Sequence, residues 1–384
     1  MVSLCYRPHN DVMARVLRED LSQPREIAGV HHGEGRIPPL GQASSAVASD
    51  ISRPRHLSQV SPTIRKSPSR DRGRGWNHPA ELRHGCPVST ETDEQHSGRA
   101  DDELGLEWSD WIPLRMAGAN RLVASESGLY RIRATTSEVV LYIGQTGRSI
   151  RERLGSLRGV FGEQMPYSDP HTAGPGLWAI RHRDGVDFEA SFAVVPGDRI
   201  ERLGREALAI GAVRVATGTS PSLNFGGMPS GYRKSTGNNS RLLAAGQRRR
   251  GGPDRASPGS TATAPVAGPL RSSPTATNWL GLRWSPWDQA AAPPMARGVY
   301  RIRRPGSVDL LYVGQGQIGS RVRAHIAKGR RGTHRQAQHF AGPTEVSWVD
   351  LEAMPTRQLL EVENDLIASH VLVRGVPPIA QFLG

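Results

Sequence analysis

The side chains with chemistry to offer recur twice in this chain of 384 residues. The first set is Gly128-Leu129-Tyr130-Arg131-Ile132-Arg133, followed by Leu141-Tyr142-Ile143-Gly144-Gln145. The second is Gly298-Val299-Tyr300-Arg301-Ile302-Arg303, followed by Leu311-Tyr312-Val313-Gly314-Gln315. Tyr130 lies 170 residues before Tyr300, and Tyr142 lies 170 before Tyr312. Trp108-Ser109-Asp110-Trp111 has a counterpart in Trp284-Ser285-Pro286-Trp287. Equal offsets across identical residues mean a duplicated domain, and the period is far too long for a solenoid. Each copy presents two phenols with a glycine beside the second. A phenol has a free pKa of about 10, so it needs help to accept or release protons near neutral pH. A glycine lets backbone and ligand approach closely.

A Gly-x-Tyr strand followed, after a short gap, by a Tyr-x-Gly strand resembles the GIY-YIG endonuclease family. The downstream residues fit the same pattern. The family places an arginine on the first helix, three residues after an aliphatic one; Ile150 then gives Arg153 and Ile318 gives Arg321. It carries a glutamate on the last helix before an aliphatic pair, which selects Glu206 and Glu363 over their neighbours Glu201 and Glu361. A closing Pro-x-x-Asn is present as Pro221 to Asn224, and as Pro378 to Gln381 with glutamine in place of asparagine. Some members carry a histidine one helical turn beyond the arginine; His325 fits, whereas the first copy has Leu157 there. Each half of the motif is common alone, but five elements in order, found twice, are specific. The resemblance covers residues 105–227 and 279–384.

The resemblance implies a metal-dependent DNA endonuclease with two active sites. Hydrolysis of a phosphodiester needs a proton taken from water, charge neutralised at phosphorus, and a stabilised leaving oxygen. The family's mechanism makes Tyr130 and Tyr300 the general bases, with Tyr142 and Tyr312 positioning water or supporting the base. The guanidinium forks of Arg153 and Arg321 suit a phosphate bidentately. Glu206 and Glu363 would each hold one Mg²⁺ (or Mn²⁺), because magnesium keeps several waters and one carboxylate is enough. Asn224 and His325 complete the catalytic set. The expected partner is nucleic acid, above all double-stranded DNA, cut by a monomer with two sites. A second reading has one or both copies inactive, leaving a nucleic-acid-binding or regulatory protein.

The elements that must position these residues are legible. Leu129–Arg133 and Val139–Ile143 read as two strands of a hairpin turning at Thr135–Ser137; Arg304–Ser307 turns the second copy. Ser149–Leu157 reads as a helix with Ser149 as N-cap and Glu152 completing a capping box. Its counterpart is Ile318–Ala327. Third strands follow at Phe188–Val195 and Glu345–Leu351, and closing helices at Arg199–Val215 and Thr356–Val371. The expected fold class is α/β: two small β-β-α-β-α sandwiches, each on a mainly antiparallel three-stranded sheet.

Composition sets the remainder. The net charge is +13, and residues 228–278 hold eight basic side chains against one acidic. That segment is rich in Ser, Thr, Ala, Pro and Gly and has few large apolar residues. It reads as a flexible basic linker that would raise the effective concentration of one site on the duplex held by the other. Residues 1–104 read as a disordered tail. Two cysteines exclude a disulfide scaffold and a four-cysteine zinc site. No apolar run reaches the ~20 residues a membrane span needs. A cytoplasmic, nucleoid-associated protein is expected.

Overall fold

The computed structural model describes residues 105–384, apart from 170, 238–239, 269, 289–292 and 384. The tail at 1–104 lies outside the described residues. The first half contains β1 (Ile112–Pro113), α1 (Leu114–Ala117), β2 (Gly128–Ala134), β3 (Val140–Thr146), α2 (Ile150–Gly155), α3 (Gly174–Asp184), β4 (Phe188–Val194) and α4 (Arg199–Thr217). A connecting stretch carries β5 (Tyr232–Arg233), α5 (Ser240–Ala244) and β6 (Gly252–Pro253). The second half contains β7 (Arg297–Arg303), β8 (Leu310–Gln317), α6 (Ile318–Arg331), α7 (Ala337–Phe340), β9 (Glu345–Asp350) and α8 (Thr356–Arg374).

Both halves are antiparallel sheets faced by helices, with strand orders β1-β4-β2-β3 and β8-β7-β9. The first sheet is thus four-stranded rather than three-stranded. Ile112 and Pro113 pair with Ala190 and Glu189, too short a run for alternation to reveal. The hairpins agree residue by residue. Tyr130 faces Gly144 and Tyr300 faces Gly314, with a bulge after Ile132 in one and after Ile302 in the other. The glycines are required: a Cβ at Gly144 would lie 2.6 Å from the Tyr130 hydroxyl, and one at Gly314 would lie 2.5 Å from that of Tyr300. Ser149 caps α2 as expected, its hydroxyl accepting from the Glu152 N–H at 3.3 Å. The Trp-Ser-x-Trp pairs latch each half to its third strand. Arg131 lies under Trp108 and Trp111, and Arg301 under Trp284 and Trp287. Ser109 and Ser285 bond the backbone of Phe192 and Trp348.

The halves are joined through α4 and α8, each of 19 residues and each closed by a left-handed glycine. The helices run antiparallel. Gly211 meets Ala368 at the centre, Arg214 meets Glu361 and Asp365 at one end, and Gly204 meets Val371 at the other. Positions 157 apart are equivalent, so Gly211 packs on its own counterpart. This is the geometry of an isologous dimer seam inside one chain. Ala207 and Leu208 share an apolar cluster with Trp279, Val299, Leu366 and Ile367. Arg214 is fully buried. It donates to both Asp365 oxygens at 2.7 and 3.0 Å, to the Thr263 and Ala264 carbonyls, and to Ser220.

The connecting stretch, expected as a flexible leash, is laid against both halves. Tyr232 bonds His182 at 2.9 Å and Arg250 donates to the Met165 carbonyl. The Thr263 and Val266 N–H groups donate to Glu361 and Asp365, and Arg301 donates to the Pro274 carbonyl. Scarcity of apolar residues misleads here, because backbone groups bonded to buried charged side chains hold much of the segment.

Candidate active site

In the first half, β2 and β3 bring Tyr130 and Tyr142 to a ring separation of 6.1 Å. Tyr130 is fully buried, and Arg153 on α2 donates from Nε to its hydroxyl at 3.2 Å. His171 Nε2 stands 2.8 Å from the same oxygen. His171 Nδ1 accepts from the Ala173 N–H at 3.2 Å, and burial, then Arg153, holds the ring well below its usual pKa. A neutral ring that accepts at Nδ1 carries its proton on Nε2, so His171 donates to Tyr130. The phenol oxygen therefore receives two N–H bonds, and its own proton points away from both. Tyr142 bonds Thr172 Oγ1 at 3.2 Å.

The second half repeats this with one change of origin. Tyr300 and Tyr312 stand 6.2 Å apart. His325, on α6, approaches Tyr300 at 3.1 Å through Nε2 and packs on the Tyr312 ring at 4.3 Å. Burial lowers His325 to about 4. The first half thus does not lack the histidine: Leu157 fills the core, and His171 supplies the ring from the longer connection before α3. A histidine followed by a threonine within that insertion was the only sequence signal. Arg321 is exposed beside the site and acts electrostatically on Tyr300 and Glu363.

Glu206 and Glu363 occupy equivalent, half-buried positions on α4 and α8. Burial raises Glu206 to about 7 against the pull of Arg153 and of the Gln145 N–H. It raises Glu363 to about 7 against Arg321. Both carboxylates line one cavity of about 650 Å³, together with Tyr142, Tyr312, Lys234, Lys328 and Arg199. The rival glutamates are placed otherwise. Glu201 is exposed, and Glu361 is fully buried in bonds to Arg357 and Thr263.

Asn224, expected among the catalytic residues, has its amide engaged elsewhere. Its Oδ1 accepts from the Ile143 N–H at 2.9 Å and its Nδ2 donates to the Ile143 carbonyl at 2.8 Å. Gln381 accepts from the Val313 N–H at 3.1 Å, the same place on β8, so glutamine takes over this clamp on the Tyr-x-Gly strand. The residues that follow, Phe225 and Phe382, both line the cavity and both hold left-handed backbones, φ 54° and 63°. Bulky residues rarely sit there, and the third that does among the described residues, Leu280 at φ 54°, is in the core of the second half. The sequence gives no sign of these conformations.

Burial also decides the tyrosines. It pushes Tyr130 and Tyr300 well above the usual phenol pKa, and Tyr312 to about 12. At neutral pH all three keep their protons, so the general-base role expected of Tyr130 and Tyr300 requires something that stabilises the phenolate. The donors on the Tyr130 oxygen are of that kind. Among the described residues there is no group of three or more His, Cys, Asp or Glu side chains that could hold a metal. One hard carboxylate per site is a donor of the kind a magnesium-type ion takes, and such an ion would draw its other ligands largely from water.

Raised carboxyl pKa values have a consequence for stability. A group at about 7 when folded and 4.5 in its ordinary state holds its proton more tightly in the fold. Stability therefore falls as pH rises from about 4.5 to 7 and stays low above. Glu206→Gln or Glu363→Gln should raise the melting temperature at pH 8 and leave it nearly unchanged at pH 5. Each shift of one pKa unit is about 1.4 kcal/mol, so a half-buried site should gain about 1–2 kcal/mol after solvent screening. Thermal melts at the two pH values check this, and equal shifts at both would contradict it.

No family model, no curated protein and no solved structure matches this chain. Among the described residues no helix is long and apolar enough to cross a membrane.

Proposed function

We propose that the chain is a metal-dependent DNA endonuclease, of the class its sequence resembles, whose two sites work on one duplex in one cleft. The observation that carries this reading is the shared cavity: Glu206 and Glu363 open into it, each beside a Tyr-Tyr-Arg-His set. The antiparallel α4–α8 seam relates the two sets in opposite directions, as the strands of a duplex are related.

In each site the arginine, Arg153 or Arg321, neutralises the phosphate. A divalent ion, when bound, supplies charge neutralisation at the leaving oxygen. Glu206 or Glu363 would hold it, and does so only as a carboxylate. Tyr130 Oη takes the proton of the attacking water only after its own proton has left for solvent, a step that the His171 and Arg153 N–H groups favour and burial opposes. Water adds to phosphorus, the P–O bond to the leaving strand breaks, and the leaving oxygen takes up a proton from solvent. Tyr142 and Tyr312 orient water from the cavity wall. Asn224 and Gln381 hold the strands that carry them.

Cleavage of supercoiled plasmid tests this. Magnesium-dependent cutting, abolished by chelator and rising with pH through about 7, is the expected result. The double variant Glu206→Gln/Glu363→Gln should lose at least about 10³ in rate. An unchanged double variant would remove the carboxylates from the mechanism. Binding of the plasmid without cleavage under all conditions would favour a binding protein.

A further inference from the structure

The chain holds 46 arginines and three lysines, Lys66, Lys234 and Lys328. Both lysines among the described residues line the cavity that holds Glu206 and Glu363. They reach it from unrelated places. Lys234 follows Asn224 by ten residues and is carried by the β5–β6 ribbon, which Tyr232 and Arg250 fasten to the first half. Lys328 lies on α6, seven residues beyond Arg321. Neither ammonium has an acidic partner among the described residues. Lys328 donates to the neutral Gln336 side chain at 2.7 Å, and Lys234 is half-buried near Gly226 with no hydrogen-bonded partner among them. Burial lowers the pKa of both, which an anionic ligand would reverse.

The duplicated halves therefore arrive at one ammonium each by different routes, as they arrive at one histidine each through His171 and His325. The shared requirement is chemical rather than inherited. With Arg199 on the same wall, three cationic side chains line the cavity beside the two carboxylates. We propose that Lys234 and Lys328 are backbone-phosphate contacts of the cleft, one on each side of the seam, which hold the duplex across both sites. The β5–β6 ribbon is then part of the first site rather than a spacer. This rests on the nuclease reading.

The test is binding of a fluorescently labelled 30-base-pair DNA duplex in chelator, by anisotropy, over a range of salt. Full-length wild type, Lys234→Gln, Lys328→Gln, the double variant and the two Lys→Arg variants are compared. Each released phosphate contact lowers the salt slope by about 0.9, which at 0.1 M salt is about an eightfold loss of affinity. Each Gln variant should show both changes, the double variant the sum, and the Arg variants neither. Weaker binding with an unchanged slope would mean that the lysines only support the fold, as would a slope change accompanied by a lowered melting temperature. Unchanged affinity in both Gln variants, with wild type binding well, would overturn the proposal and leave the nuclease reading standing. Failure of wild type to bind the duplex would overturn both.

Discussion

On the proposed nuclease reading, Glu206→Gln and Glu363→Gln, made singly, should each turn linearisation of a plasmid into nicking. Each variant keeps one complete Tyr-Tyr-Arg-His-Glu set, and the substitution changes no volume at the seam. Among the described residues each carboxylate is the one acidic side chain that its half contributes to the cavity, so on the proposed reading its loss should cost about 10³ in rate there. The untouched site still cuts its strand, so supercoiled plasmid becomes open circle and stops. Time courses on agarose read this directly. If one variant loses all cutting while the other behaves as wild type, only one half is catalytic and its partner serves binding. If both variants linearise normally, neither carboxylate holds the ion.

The second large effect concerns the seam. Arg214→Ala removes the guanidinium that faces Asp365 and Glu361, with Arg214 and Glu361 fully buried. Burial already pushes the Asp365 carboxyl up despite Arg214, so its charge depends on that partner. Deleting one member of a buried charge network leaves the others uncompensated and typically costs about 3–5 kcal/mol. That is a large share of the ~5–15 kcal/mol by which such folds are stable. Calorimetric or circular-dichroism melts should show a drop of several degrees and a broadened transition as the halves uncouple. The companion Arg214→Leu/Asp365→Leu variant should recover only part of the loss, because it removes the buried Asp365 charge but leaves Glu361 and the backbone of Thr263, Ala264 and Val266 without their partners. The sequence-equivalent contact, Val371 on Gly204, is already apolar. A melt unchanged by Arg214→Ala would mean that the halves are not joined through α4 and α8.

The positions legible in the sequence are those where one residue type satisfies one local demand. The Gly-x-Tyr and Tyr-x-Gly strands pair in register because only glycine fits opposite the tyrosine hydroxyl, and that requirement repeats at Gly144 and Gly314. Ser149 and Glu152 announce the start of α2, and the aliphatic pair that follows each glutamate singles out Glu206 and Glu363. What escaped is what long-range contact supplies. His171 replaces His325 from an insertion that no local pattern ties to Tyr130. Asn224 has the residue type of a catalytic amide, yet the Ile143 backbone fills both its bonding groups. The stretch at 228–278 has a linker's composition, but buried Arg214, Glu361 and Asp365 bond its backbone. The seam itself reads only as two closing helices, because nothing in either helix states that its partner is its own copy.

On the proposed reading, two sites held by one seam act on the two strands of one duplex. Sequencing both ends of the linear products made by wild type measures it most directly. A fixed seam sets one spacing between the sites, so every double-strand break should carry the same overhang polarity and length wherever it falls. Overhangs spread over many lengths and both polarities would show sites acting independently, and would contradict the account.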